Sequence, residues 1–507
     1  MNAEHDSLRP HAGGFSLASG YARLPERFYA RLPPVPVAEP RVIAVNRPLA
    51  AQLGFALDEL REDTVAAIFS GNCPLPGAET IAAAYAGHQF GQFVPQLGDG
   101  RAILLGEVRD RSGELREIQL KGSGRTPYSR GGDGRAALGP VLREYLLSEA
   151  MHALGIATTR ALAAVATGES VMRERLLPGA ILTRVAASHV RVGTFEYFAA
   201  RGDRDALRIL ADHVTLRHYP QIPADERRYL ALLEAVAGRQ AQLVARWMQV
   251  GFIHGVMNTD NMSIAGETID FGPCAFMDVY DPATVFSSID GAGRYAYANQ
   301  PHAAQWNLAR LAETLVPLID PSAERAVLLA NEVLAAFPQR FDEHWLAGMR
   351  GKLGLTIEDA GDRRLVDSWL DALQRNRVDF TLGFRRLADA AQGDAAQADD
   401  GDAGVRALFA DPADFDRWAR DWRARLRREP VAAAVRAAAM RAVNPAFIAR
   451  NHRVEQAIGA AVERGDYAPF EELATVLSRP YEELPRFAAY AQPPLPEERV
   501  LRTFCGT

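Results

Sequence analysis

Cysteine is scarce in this sequence: 507 residues carry three, Cys73, Cys274 and Cys505. So few thiols exclude a disulfide framework, and without a C-x-x-C pair there is no thiolate zinc signature. Long apolar runs are also missing, and no stretch reaches the ~18 residues that a membrane-spanning helix needs. The first residues, Met1-Asn2-Ala3-Glu4-His5-Asp6, lack the basic-then-apolar pattern of a signal peptide. The expectation is a cytoplasmic protein with no membrane contact. An excess of positive charge is absent too: the net charge is −6 and the pI about 6.1, which leaves nothing to favour nucleic acid. No internal repeat is visible. What is present, 48% hydrophobic and 24% charged residues, is the make-up of a soluble globular chain, long enough for two or three domains.

The chain changes character along its length. Residues 1–75 read as an extension: Pro-rich near Leu32–Pro40, a strand at Val42–Val45, then helical pattern. From Phe93 to Val108 the pattern is strand, turn, strand, with Gly98-Asp99-Gly100 as the expected hairpin turn. Glu117–Lys121 reads as a strand, followed by a Gly/Ser/Arg-rich loop from Gly122 to Gly134 and a helix around Val141–Leu147. Leu162–Thr167 and Gly179–Val185 read as further strands. Tyr229–Val250 is a long amphipathic helix stopped by Gly251. Met262–Ala265 and Thr268–Phe271 are expected to form a short hairpin around Gly266-Glu267. Ala390–Gly404 has little apolar content and reads as a loop. These patterns give an α+β fold of two lobes, β-rich over residues 76–200 and helical over 201–410. A C-terminal helical region and tail occupy 411–507. A nucleotide would sit between the lobes.

The chemistry is concentrated in His254-Gly255-Val256-Met257-Asn258-Thr259-Asp260-Asn261 and Asp270-Phe271-Gly272. The spacing matches a protein-kinase catalytic centre, H-R-D-x-x-x-x-N followed by D-F-G, with one part missing. Val256 stands where the catalytic aspartate belongs. Asn261 and Asp270 are hard oxygen donors suited to a magnesium or manganese ion carried on nucleotide phosphates. Asp260 is the only carboxylate of the loop and the candidate base, and His254 is expected to orient the loop. Lys121 at a strand end and Glu144 in the next helix suit the lysine–glutamate pair that holds phosphates. Gly98, Gly100 and Arg101 sit at a turn whose N–H groups suit phosphate, though G-D-G is also an ordinary turn. Arg125, Arg130 and Arg135, interleaved with Gly131, Gly132 and Gly134, suit a polyphosphate. Spacing alone does not choose Arg184 and Arg191 over Arg173 and Arg175.

Several stretches together identify a resemblance: Tyr85-Ala86-Gly87-His88-Gln89-Phe90-Gly91, Gln96–Arg101, Gln119–Gly124, Thr126–Arg130, Gly251–Asn261, Asp270–Pro273, Asn444-Pro445 and Arg450-Asn451-His452. They resemble the selenoprotein O family, whose bacterial members are called YdiU, over essentially the whole chain. The resemblance implies a pseudokinase fold acting as a protein adenylyltransferase. ATP, bound in the reverse of the kinase orientation, donates AMP to Ser, Thr or Tyr hydroxyls of proteins and releases pyrophosphate. It implies nucleotide contacts at Gly98, Gly100, Arg101, Lys121, Asp133, Gly134, Arg184, Arg191 and Asp270. Asn261 and Asp270 would hold the metal, Asp260 would accept the proton, and Glu144 would pair with Lys121. It also implies a regulatory disulfide between Cys274 and Cys505, with cysteine where some members carry selenocysteine. Two other readings stay open: a phosphotransferase with Asp260 as base, and a non-catalytic ATP-binding scaffold. A monomer is expected.

Overall fold

The computed structural model describes residues 16–392 and 398–504. Its strands are β1 (Tyr29–Arg31), β2 (Arg41–Val45), β3 (Ile81–Ala83), β4 (Gly87–Gln89), β5 (Gln92–Val94), β6 (Ala102–Arg109), β7 (Leu115–Lys121), β8 (Ala136–Ala137), β9 (Arg160–Met172) and β10 (Leu176–Ala186). The main sheet is antiparallel and runs β1-β3-β6-β7-β10-β9-β2, with β8 on β10. Strand side chains alternate between faces, and the sequence uses both. Ile103, Leu105, Ile118 and Leu120 pack with Leu49 of α1 (Arg47–Gln52) and with Ile68 and Phe69 of α2 (Glu62–Ser70). Leu104, Leu182 and Ala180 turn to the opposite face and join Leu142 and Leu146 of α3 (Leu138–Ala153).

After α4 (Val192–Ala199) and α5 (Arg204–His218) the chain is helical. α6 (Arg228–Gln249) packs along α7 (Gln300–Ile319) and α8 (Ala323–Lys352). Helices from α9 (Asp362–Arg375) to α15 (Ala468–Leu477) follow, and α14 (Asn451–Arg464) and α15 return to α3. Between α6 and α7, β11 (Phe252–Ile253) pairs with β12 (Ala275–Phe276). This two-residue ladder clasps both ends of the segment 254–274, so the His254 loop and Asp270 must share one neighbourhood. The mixed architecture, a sheet followed by many helices, agrees with the α+β expectation.

Three local expectations fail. Gly98-Asp99-Gly100 is not a hairpin turn, because β5 pairs back onto β4 instead. Residues 95–101 form a loop that Asp99 pins to β3, where its carboxylate accepts the Ala83 N–H at 3.0 Å. Residues 262–271 form no hairpin. Ser263 bridges Arg191 and Thr268 bridges Thr158, so both halves pair with the body rather than with each other. Ala390–Gly404 is not all loop, since α10 (Phe380–Ala390) ends there and α11 (Ala398–Arg406) begins within it.

Candidate active site

A cleft of about 660 Å³ opens between the sheet and the helical part. Gly98, Gly100, Arg101, Lys121, Asp133, Gly134, Glu144, Arg184, Arg191, Asp260, Asn261 and Asp270 all line it. Arg184 and Arg191, undecided by spacing, therefore face the same space as the loop residues. Of the two cysteines in the expected disulfide, Cys274 is buried, and Cys505 lies outside the described residues.

At the centre is a buried ionic cluster. β7 ends on Lys121, whose Nζ donates to Glu144 Oε2 at 2.6 Å and to Asp270 Oδ1 at 2.7 Å. On neighbouring β10, Arg184 lies opposite Gln119 and donates to Glu144 Oε1 (2.9 Å) and Asp270 Oδ1 (2.5 Å). Arg191, capping α4, donates to Asp270 Oδ2 at 2.9 Å and to the Asp260 carbonyl at 2.7 Å, with its guanidinium over the Tyr85 ring. Burial alone would push Asp270 upward, but Arg184, Lys121 and Arg191 outweigh it and hold the carboxyl well below its usual range. Glu144 is lowered in the same way, with Arg184 and then Lys121 outweighing burial. Asp270 adopts φ +65°, a left-handed conformation that Asp tolerates better than most residues. That backbone turn follows the buried Ile269 and precedes the buried Phe271. The two apolar side chains anchor the segment while the carboxylate meets three cations.

The loop from His254 is held from within. The His254 ring bonds the Ile269 carbonyl (2.9 Å) and accepts the Val256 N–H (3.4 Å), and its backbone N–H donates to Gln300. Asn261 Nδ2 donates to the Val256 carbonyl at 3.0 Å, which leaves its amide oxygen as the donor atom. Asp260 is only 7% exposed. Burial raises its carboxyl to about 6, against the pull of Gln89 and Arg191. Its Oδ2 accepts from Gln89 Nε2 at 3.1 Å, and its Oδ1 has no hydrogen-bond partner. Among the described residues, no group of three or more His, Cys, Asp or Glu could hold a metal ion. Asn261 and Asp270 offer one amide oxygen and one carboxylate, a pair that suits an ion whose remaining ligands arrive with a polyphosphate.

The glycine-rich wall is sterically required. A Cβ at Gly98 would lie 2.3 Å from the Tyr128 ring, and one at Gly100 2.8 Å from the Tyr128 carbonyl. Asp133 binds Arg173 (2.8 Å) and the Arg135 N–H (2.9 Å) at the cleft rim. Sequence reasoning gave no role to Tyr85, Gln89, Phe90, Tyr128, Arg173 or Asn258, which also line the cleft. Five of them lie in the blocks that carry the resemblance; Arg173 lies in none, and spacing alone did not separate it from Arg184 and Arg191.

Known proteins resemble this chain over nearly its whole length. The family model described as "Protein adenylyltransferase SelO" matches residues 15–478. The chain is similar to the "Protein nucleotidyltransferase YdiU" of Rhizobium rhizogenes, 63% identical over 503 residues, 99% of each chain. Those of Rhizobium meliloti and Bradyrhizobium diazoefficiens are each 64% identical over 493 residues, covering 97% of this chain and 99% of the relative.

Proposed function

This chain belongs to the SelO family of protein adenylyltransferases, and from that premise we propose a reaction for its cleft. The enzyme transfers AMP from ATP to protein hydroxyls. The observation that carries the reading is the convergence of Lys121, Arg184 and Arg191 on Asp270, in one cleft with Asn261 and the buried Asp260. In this reading residues 76–200 and 201–410 are the two lobes of a kinase-like fold, with residues 1–75 and 411–507 as extensions. ATP lies between them with its α-phosphate toward Asp260. Gly98, Gly100, Arg101, Asp133 and Gly134 line the phosphate path.

The Ser, Thr or Tyr hydroxyl oxygen attacks the α-phosphorus as its proton passes to Asp260. The bond from the α-phosphorus to the bridging oxygen breaks, and pyrophosphate leaves toward Lys121, Arg184 and Arg191. A carboxylate near 6 is mostly ionised at neutral pH yet basic enough to accept a proton. Glu144 keeps Lys121 and Arg184 aimed at the phosphates. Asn261 and Asp270 would hold a magnesium or manganese ion, which offsets charge developing on the phosphates when bound. Such catalysis is mostly positioning and electrostatics. The enzyme works in the cytoplasm as a monomer.

The tail belongs to it as well. Thr503 donates its N–H to Phe286 O (2.8 Å) and its hydroxyl to Pro273 O (2.5 Å), next to Cys274. Cys505 follows two residues later. A Cys274–Cys505 disulfide would fasten the tail beside Asp270 under oxidising conditions. Non-reducing peptide mapping after oxidation should yield that linked pair, and its absence would remove the redox element. The reaction itself is tested with ATP labelled separately at the α and γ phosphates. Protein should be labelled from α alone. Label from γ would make the enzyme a phosphotransferase, and no label beside intact ATP binding would make it a scaffold.

A further inference from the structure

The hairpin β4–β5 lies off the main sheet and against the Asp260 loop. Three successive residues of the hairpin engage three successive residues of the loop. The His88 N–H donates to Thr259 Oγ1 at 2.6 Å, Gln89 Nε2 to Asp260 Oδ2 at 3.1 Å, and the Phe90 N–H to Asn258 Oδ1 at 3.0 Å. The approach is close enough that a Cβ on Gly87 would sit 2.6 Å from Asp260 Oδ1. From the far side, Glu196 of α4 binds both the His88 ring and the Thr259 hydroxyl, and Tyr295 donates to Asn258 Oδ1 at 2.9 Å.

The hairpin is strained to make these contacts. Gln89 pairs with Gln92, so the turn is the two residues Phe90-Gly91, with φ +51° and +86°. Such a turn favours Asn-Gly. A phenylalanine in the left-handed region is strained by its Cβ. Its compensation lies in the loop and beside it: the bond to Asn258 and a ring contact with Tyr295 at 5.2 Å. Strain of this kind persists where the surroundings over-determine it, and it gathers at functional sites.

We propose that the hairpin is a clamp on the catalytic loop and that Gln89 is the positioning residue that fixes the orientation of the Asp260 carboxylate toward the acceptor hydroxyl. The inference rests on Asp260 being the proton acceptor. With Oδ2 tied to Gln89 and Oδ1 packed against Gly87, the carboxylate cannot swing, and its orientation is set before substrate arrives. An amide suits this role, because it donates to the carboxylate without adding a charge that would compete for phosphate.

The test is steady-state AMP transfer by Gln89→Met, which keeps length and bulk and removes the donor. Gln89→Asn, which keeps the amide but shortens its reach, serves as the second variant. Misplacement of a reacting group by about 1 Å costs up to about 100-fold. Both variants should lose kcat about tenfold or more, with KM for ATP and the melting temperature close to wild type. In an Asp260→Asn background, Gln89→Met should cost nothing further, because the residue acts only through Asp260. A Gln89→Met enzyme with kcat within twofold of wild type overturns the clamp. So does a loss matched by weaker ATP binding or by unfolding. Full activity in Asp260→Asn alone would instead overturn the assignment of the base, so the two failures are distinguishable.

Discussion

Two of the buried cationic centres among the described residues behave oppositely. In the cleft, Arg184 is 2% exposed and Arg191 3%, yet each is held above its ordinary value. Burial pulls both down, and Asp270 with Glu144 at Arg184, and Tyr85 with Asp270 at Arg191, more than restores them. At the end of α8, Lys352 is 3% exposed, and no carboxylate among the described residues reaches it. Its ammonium lies over the rings of Phe384 (4.3 Å) and Phe380 (5.6 Å), and burial lowers it to about 7. A cation–π contact worth about 0.5–2 kcal/mol does not offset desolvation, whereas a paired carboxylate does. Burial alone therefore does not set the charge of a group; its partners decide how far the cost of burial is offset. The carboxylates of the cleft hold Arg184 and Arg191 in the charged form, which suits a site for phosphates.

The strongest way to break the comparison is to take the carboxylate from the cleft. Asp270→Asn keeps a side chain that tolerates the left-handed backbone, leaves Lys121 and Arg184 to Glu144 alone and removes the carboxylate that Arg191 binds. Transfer of α-labelled AMP should fall by about 100-fold or more, while calorimetry should find metal-free ATP binding no weaker. Turnover above one tenth of wild type would sink the role given to Asp270.

The second prediction acts on Lys352. Its folded value, about 7, lies below the ordinary lysine value of about 10.4, so the unfolded chain binds the extra proton. The penalty is full below about pH 7 and fades as pH rises toward 10.4, where both states are neutral. Lys352→Met should therefore stabilise the protein by several kcal/mol at pH 6, because each pH unit between the folded and unfolded values corresponds to about 1.4 kcal/mol. The gain should be much smaller at pH 9.5. Urea unfolding at the two pH values checks it, and an equal gain at both would remove pH from the account.

The smallest effect belongs to a pair with neither burial nor phosphate. Arg363 and Asp367 on α9 are both half exposed and meet at 3.0 Å. Arg363→Ala should change stability by less than about 1 kcal/mol, even though the side chain also covers the Trp345 ring. A larger loss in thermal unfolding would mean that burial is not what separates the pairs.

Much of the site is legible in the sequence. Lys121, Glu144, Asn261, Asp260 and Asp270 announce themselves because their chemistry depends on residue type at fixed short spacing, and the strands and helices that carry them show clean periodicity. Arg184 and Arg191 did not, since arginines at a strand end and in a loop look like any others. Only the pairing of β10 with β7 brings Arg184 beside Lys121. The failed turn at Gly98-Asp99-Gly100 has the same origin: its local signal is that of a hairpin, but a side-chain bond from Asp99 to β3 decided the path. Gln89 and Phe90 were invisible as functional residues, because a glutamine and a strained phenylalanine mean nothing until the loop they clamp is beside them.

By itself the sequence determined the family, the mixed α and β make-up, and the residue types that reaction at a phosphate requires. These follow from local spacing and side-chain chemistry. The tertiary structure decided which charges meet and what holds the Asp260 carboxylate in place. Those depend on contacts between segments more than a hundred residues apart, such as Lys121 with Asp270 and Gln89 with Asp260, and no local pattern encodes them.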